Sequence, residues 1–399
     1  MVRTNLPRKP WRVAIAVVGA ALFAATPGTT QQPRATTPAA DYWVYVGAES
    51  ADLIHRIRFG AAGTLVEKTI PVGVLVTEME GPHGLQISAD GKYLHMTTGH
   101  GAPDGRYWRF ALGADTLVGP SIPLGFFPAS LDVSPDGGYA FVANFNLHGE
   151  MVPSSISVVY TPTMTEVART VTCTMPHGSR LTPDGLAHYS ACMMDDQLVE
   201  IDTRSFAVAR RFSLAKGKEG PIAAPMPGHN MASMPAMQSG TVVPHAMTPP
   251  TCSPTWAQPS ADGKRIFVAC NKADVIVEID RSSWSIVRRI GTGRGPYNLA
   301  VTPDGRLLLA TLKQGAAFQV FDLASGSSLM VAKSSTTVTH GVTVSPDSRY
   351  AFVSSEGVGA APGKVDVYDL VALLRVGTVD VGQQAGGIAF WKMAPTGHE

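Results

Sequence analysis

One motif recurs six times along the chain, and its spacing restricts the fold more than any other feature. It reads PHGLQISADGKYLHMTTG from Pro82, PASLDVSPDGGYAFVANF from Pro128, PHGSRLTPDGLAHYSAC from Pro176, PTWAQPSADGKRIFVAC from Pro254, PYNLAVTPDGRLLLATL from Pro296 and THGVTVSPDSRYAFVSS from Thr339. In each copy apolar residues alternate with polar ones, as in Leu131, Val133 and then Tyr139, Phe141, which is the period of a strand. Between the two runs stands a Pro-Asp-Gly type turn, in which proline presets φ and glycine tolerates positive φ. Each copy is therefore a β-hairpin.

The turn aspartates Asp90, Asp136, Asp184, Asp262, Asp304 and Asp347 lie 46, 48, 78, 42 and 43 residues apart, so the long interval is one repeat plus an insertion. Two more short strands follow each hairpin, for example Asp274 to Asp280 and Trp284 to Ile290. Four-stranded units of this length are the blades of a β-propeller. A seventh unit is divided between the ends. Gln384 to Trp391 resembles a first strand without its second, and Asp41 to Val46 resembles a second strand without its first. Together they complete a ring, which removes free sheet edges. The expected architecture is an all-β, seven-bladed propeller over 41–393, closed by strands from both termini, with an insertion at 216–250 and a short tail at 394–399.

Before the propeller, Arg3, Arg8, Lys9 and Arg12 precede the apolar run Val13 to Ala25, the pattern of a secretory signal over 1–25. Residues 26–40, rich in Thr, Pro, Gln and Ala, read as a disordered linker. The mature chain is expected in the periplasm or outside the cell, without a membrane span once the signal is removed. With charged residues at 16% and a formal net charge of +1, nothing marks a nucleic-acid partner. A monomer is expected.

Counting back seven residues from each turn aspartate gives His83, Ala129, His177, Thr255, Tyr297 and His340, with Ala385 roughly equivalent in the divided blade. In a propeller this register lies at one mouth of the central channel. Blades divide the circle at about 51° each, so the three histidines surround the axis. Neutral imidazoles converging with an open position suit a transition metal, and His100 is a candidate fourth donor. The alternative is that Pro-His-Gly suits the turn and the ring bonds backbone. Met226, His229, Met231, Met234, Met237, His245 and Met247 crowd the insertion on the same face, and thioether sulfur favours Cu(I). The expected cofactor is copper, or another divalent metal.

Cys173, Cys192, Cys252 and Cys270 flank two adjacent hairpins. In an exported chain they read as the within-blade disulfides Cys173–Cys192 and Cys252–Cys270. Glu49 and Glu356 fall in loops on the functional face, and Glu356 is a candidate general base or ligand. No serine-nucleophile elbow or phosphate-binding loop stands in a suitable setting.

Ser-Pro-Asp-Gly followed by Tyr-Ala-Phe-Val-Ala-Asn resembles the YVTN-type propeller repeat, a likeness that covers most of 41–393. The resemblance implies the fold strongly and an activity weakly. Histidine-ligated copper on a propeller also has an architectural likeness to nitrous oxide reductase and to the methanethiol oxidase and selenium-binding family. Three functions follow as expectations: a copper-dependent oxidoreductase with a small-molecule substrate or redox partner, a metal-dependent lactonase or lyase, and a non-catalytic binding or envelope scaffold.

Overall fold

A computed structural model describes residues 1–2, 36–75, 77–101, 105–223 and 249–396. All of the described strands belong to the compact unit Arg34–Glu399. Its strands form seven antiparallel sheets, each meandering outward from the axis. Blade 1 combines Ala385–Pro395 with Ala40–Ala48, Leu53–Gly60 and Gly63–Pro71. Its closing register pairs Val44 with Phe390, Val46 with Ile388 and Ala48 with Ala385. The innermost strands of blades 2 to 7 are Pro82–Ile87, Pro128–Val133, Pro176–Leu181, Pro254–Pro259, Pro296–Val301 and Thr339–Val344. Each touches the next around the axis, and Thr339–Val344 touches Ala385–Pro395, so the ring is closed. The chain is a seven-bladed β-propeller.

Two blades depart from four strands. In blade 2, Thr116–Leu117 and Ile122–Pro123 both pair with Arg106–Ala111, and in blade 4 Gly220–Ile222 adds a fifth strand outside Val208–Ser213. Among the described residues the only helical pieces are two single turns, Glu49–Ala51 and Thr161–Thr163.

The repeat explains both the turns and the core. The hydroxyl two residues before each turn aspartate donates to its carboxylate, as Ser88 does to Asp90 at 2.7 Å and Ser260 to Asp262 at 2.6 Å. The same carboxylate accepts a backbone N–H two residues on, at 3.1 Å in both turns. All six aspartates are thereby committed to structure. Alternate residues of every sheet face the neighbouring blade, and seven apolar clusters fill the seven blade–blade interfaces. Burial is distributed around the ring rather than gathered in one centre. Around the axis, polar side chains such as Ser130, Arg180 and Asn298 stand among Leu85, Leu131, Trp256 and Ile388.

Both disulfides form the expected pairs, with Cα separations of 5.9 Å for Cys173–Cys192 and 4.5 Å for Cys252–Cys270. Their placement corrects the expectation in one respect. Cys173 ends Thr165–Thr174, the outermost strand of blade 3, whereas Cys192 ends Ala187–Cys192 of blade 4. That bridge joins two blades. Cys252–Cys270 stays within blade 5.

Candidate active site

Three of the side chains seven residues before the turn aspartates reach across to the same register of the adjoining blade. His83 Nδ1 donates to the Ala129 carbonyl at 2.8 Å, and His177 Nδ1 to the Thr255 carbonyl at 2.9 Å. Thr255 Oγ1 continues the belt to the Tyr297 carbonyl at 2.8 Å. Backbone anchoring of the rings, one of the two readings open from sequence, is thus what these histidines do with Nδ1. It turns Nε2 of each ring toward another group.

The rings converge. The His83 centroid lies 6.2 Å from that of His177 and 5.5 Å from that of His340. Tyr297 fits between the other two, 5.2 Å from His177 and 4.8 Å from His340, and its hydroxyl donates to His177 Nε2 at 2.9 Å. His83 Nε2 lies 3.9 Å from Glu49 Oε2, and His340 Nε2 lies 3.7 Å from Glu356 Oε1. His340 Nδ1 is buried with no hydrogen-bond partner among the described residues. Burial, followed by repulsion from His83, pushes His177 down to about 3. Burial and the Lys313 ammonium push His340 well below the ordinary imidazole value. Both rings are neutral at neutral pH.

A second ring lies above the first. Nine residues after the turn aspartates stand Phe145, Met193, Asn271, Lys313 and Glu356, with Gly99 at the same place in blade 2. These five side chains, the three register histidines, Glu49, Phe127, Tyr297 and Gln384 border one cavity of 410 Å³ at the channel mouth. Burial opposes the Lys313 charge, but Tyr297 and Glu356 outweigh it and raise its pKa above the ordinary lysine value. Its Nζ meets Glu356 Oε1 at 2.9 Å and lies 4.4 Å from the Tyr297 ring centroid. Burial raises the Tyr297 phenol. Burial also works against the Glu49 charge, yet His83 and His100 hold this carboxyl below its ordinary value.

His100 donates from Nε2 to Glu49 Oε1 at 2.8 Å, while its Nδ1 lies 3.3 Å from Nε2 of the exposed His148. Glu356 is in the cavity as expected. Lys313 is a functional candidate that the histidine register does not select, whereas Tyr297 stands in that register and Glu49 in a loop on the same face. A count forward from the same aspartates finds Lys313. His229, Met231, Met234, Met237 and His245 lie outside the described residues. Among the described residues no group of three or more His, Cys, Asp or Glu side chains is arranged to hold a metal ion. Other face carboxylates are structural: Asp196 accepts the N–H groups of Thr251, Cys252 and Ser253, and Asp274 that of Gly295.

No protein-family model matches the chain, and no curated protein matches it. Solved structures do. The periplasmic gluconolactonase of Pseudomonas aeruginosa superposes with a TM-score of 0.64 at 17% identity, over 88% of this chain and 99% of that one. A functionally unknown protein from Desulfotomaculum acetoxidans gives 0.63 at 14% identity, over 88% and 98%. Kuenenia stuttgartiensis hydrazine synthase gives 0.57 at 18% identity, over 79% and 91%. At these identities the likeness concerns the propeller fold, and on that evidence the chain takes its place among the seven-bladed β-propellers.

Proposed function

We propose that the channel mouth is the active site of an exported enzyme that performs acid–base chemistry on a small cyclic ester, hydrolysing a lactone to its hydroxy acid. The observation that carries this reading is the pairing of each axial imidazole Nε2 with Glu49, Tyr297 or Glu356 around one open cavity. The periplasmic gluconolactonase on the same fold and the oxidising compartment implied by two disulfides agree with it.

In this scheme His83, anchored through Nδ1, takes a proton on Nε2 from a water attacking the lactone carbonyl, and Glu49 stabilises the imidazolium. Lys313, whose ammonium has donors beyond the one turned to Glu356, polarises the carbonyl oxygen. The tetrahedral centre collapses with cleavage of the ring C–O bond, and the proton held by His83 passes to the departing alkoxide. One water is consumed, and the acid formed ionises. Purified protein assayed by pH-stat against γ- and δ-lactones should hydrolyse at least one. Lys313→Met and His83→Ala should each lower kcat by about 10²-fold or more without loss of fold. A folded enzyme whose rate is unchanged in both variants would overturn the assignment.

A second reading keeps the metal. Nδ1 anchoring of His83 and His177 on carbonyls is the arrangement that orients metal-binding imidazoles, and His340 supplies a third ring. On this reading His83, His177 and His340 hold copper or another divalent ion after Tyr297 releases His177, and Met231, Met234 and Met237 with His229 and His245 serve Cu(I) uptake. The ion would supply Lewis-acid or redox chemistry, the latter in line with the copper propellers that share the architecture. Stoichiometric copper after purification from an oxidising compartment, lost in the triple-histidine variant, supports it. Metal at background counts against it.

A further inference from the structure

The cavity is unequal in its two halves. Phe127, Phe145, Leu147 and Met193 form one wall, continuous with the small apolar cluster of Phe127, Ala129, Phe145 and Met175. The opposite wall carries Glu49, Lys313 and Glu356 together with neutral amides. Lys313 is the single lysine or arginine among the described lining residues, and its ammonium is already held by Glu356. Below the histidines, Arg180 borders a separate narrow space of 30 Å³ and donates to the Ser179 and Leu131 carbonyls. Glu49 has one oxygen bonded to His100, and its other oxygen faces the His83 ring at 3.9 Å. The charged wall thus holds two carboxylates and one ammonium, with the His83 and His100 rings already committed to Glu49, so an entering anion meets a carboxylate with no uncommitted lysine or arginine to receive it. Such a charge in a half-buried site is poorly screened.

We propose that this cavity selects against anions, and that its ligand is a compact uncharged or cationic ring that lays one face on the Phe127–Phe145 wall and turns its polar edge to Glu49 and Lys313. Carboxylated and phosphorylated lactones are excluded as substrates. This rests on reading the cavity as a small-molecule site, and it is tested by binding rather than turnover.

The probes are two inert lactams of equal size, pyroglutamide and pyroglutamate, which differ by one negative charge. Titration of the wild-type protein followed by ligand-observed NMR should show the amide binding at least roughly tenfold more tightly, a factor equal to about 1.4 kcal/mol. In the Glu49→Gln, Glu356→Gln double variant the two affinities should draw together, chiefly through tighter binding of the anion. Equal or tighter binding of pyroglutamate by the wild type would overturn the proposal, as would failure of both lactams to bind. Binding of the amide without hydrolysis of the matching uncharged lactone would defeat the lactonase reading and leave charge selection standing.

Discussion

Histidine burial gives this protein a pH sensitivity that is independent of its chemistry. His95 accepts or donates at Nδ1 with the Tyr107 hydroxyl at 2.5 Å, and His188 stacks on Phe141 with ring centroids 5.1 Å apart. Burial followed by a nearby arginine, Arg109 for the first and Arg180 for the second, pushes both down to about 3 from the ordinary 6.5. Between those values the unfolded chain binds a proton that the native state refuses. Stability is therefore complete above about 6.5 and falls as pH drops toward 3, by up to about 1.4 kcal/mol per pH unit for each such histidine. Urea midpoints measured from pH 7 to pH 5 should fall, and His188→Gln should flatten that decline. A midpoint that rises with acidification would contradict the burial of these rings.

At the scale of the strand and the blade, stability depends on how each sheet is tied to the next. Arg210 grips Glu200 through two nitrogens, lies with its guanidinium 3.9 Å from the Trp284 ring centroid and donates to the Arg281 carbonyl, joining blade 4 to blade 5. Arg288 joins blade 5 to blade 6, bonding Glu278 through Nε and the Leu323 and Ala324 carbonyls through its other nitrogens. The Cys173–Cys192 bridge is the covalent member of this set. Replacing that pair by serine should cost about 2 to 4 kcal/mol, read as a lower denaturant midpoint. Because it crosses an interface, hydrogen exchange should quicken in Thr165–Thr174 of blade 3 as well as in Ala187–Cys192 of blade 4. In the Cys252, Cys270 double serine variant the quickening should stay within blade 5. Blade 3 exchange that is the same in both variants would show that the bridge does not couple the blades.

For the molecule as a whole, closure is the decisive event. Ala385–Pro395 supplies the innermost strand of blade 1, and through Ala385 and Ile388 it also completes the apolar interface with blade 7. Removing 385–396 should expose both interfaces and leave the protein unfolded or aggregated, as judged by loss of the cooperative thermal transition. Moving those residues in front of Ala40 by circular permutation should restore a cooperative transition close to that of the parent, since the same strands then meet in one hairpin. A truncated chain that still melts cooperatively at the parent temperature would show that closure contributes little.

The fold was legible in the sequence because a propeller is built from local hairpins. Six Ser/Thr-x-Asp turns set the spacing, the spacing set the number of blades, and the unpaired half-repeats at the two ends announced their own pairing. The disulfide partners were legible for the same reason, since Cys192 and Cys270 end second strands whose first strands begin just after Cys173 and Cys252. The register also placed His83, His177 and His340 around one axis, because angular position follows from blade number. What each ring does with its nitrogens was decided only by the tertiary structure. The carbonyl that holds His177 belongs to Thr255, 78 residues away, and the hydroxyl at its other nitrogen to Tyr297, 120 residues away. Lys313 reads as an ordinary loop cation until the ring brings Glu356 and Tyr297 against it. A repeat encodes where a side chain stands on the circle, and hydrogen bonds across the circle decide its protonation and its chemistry.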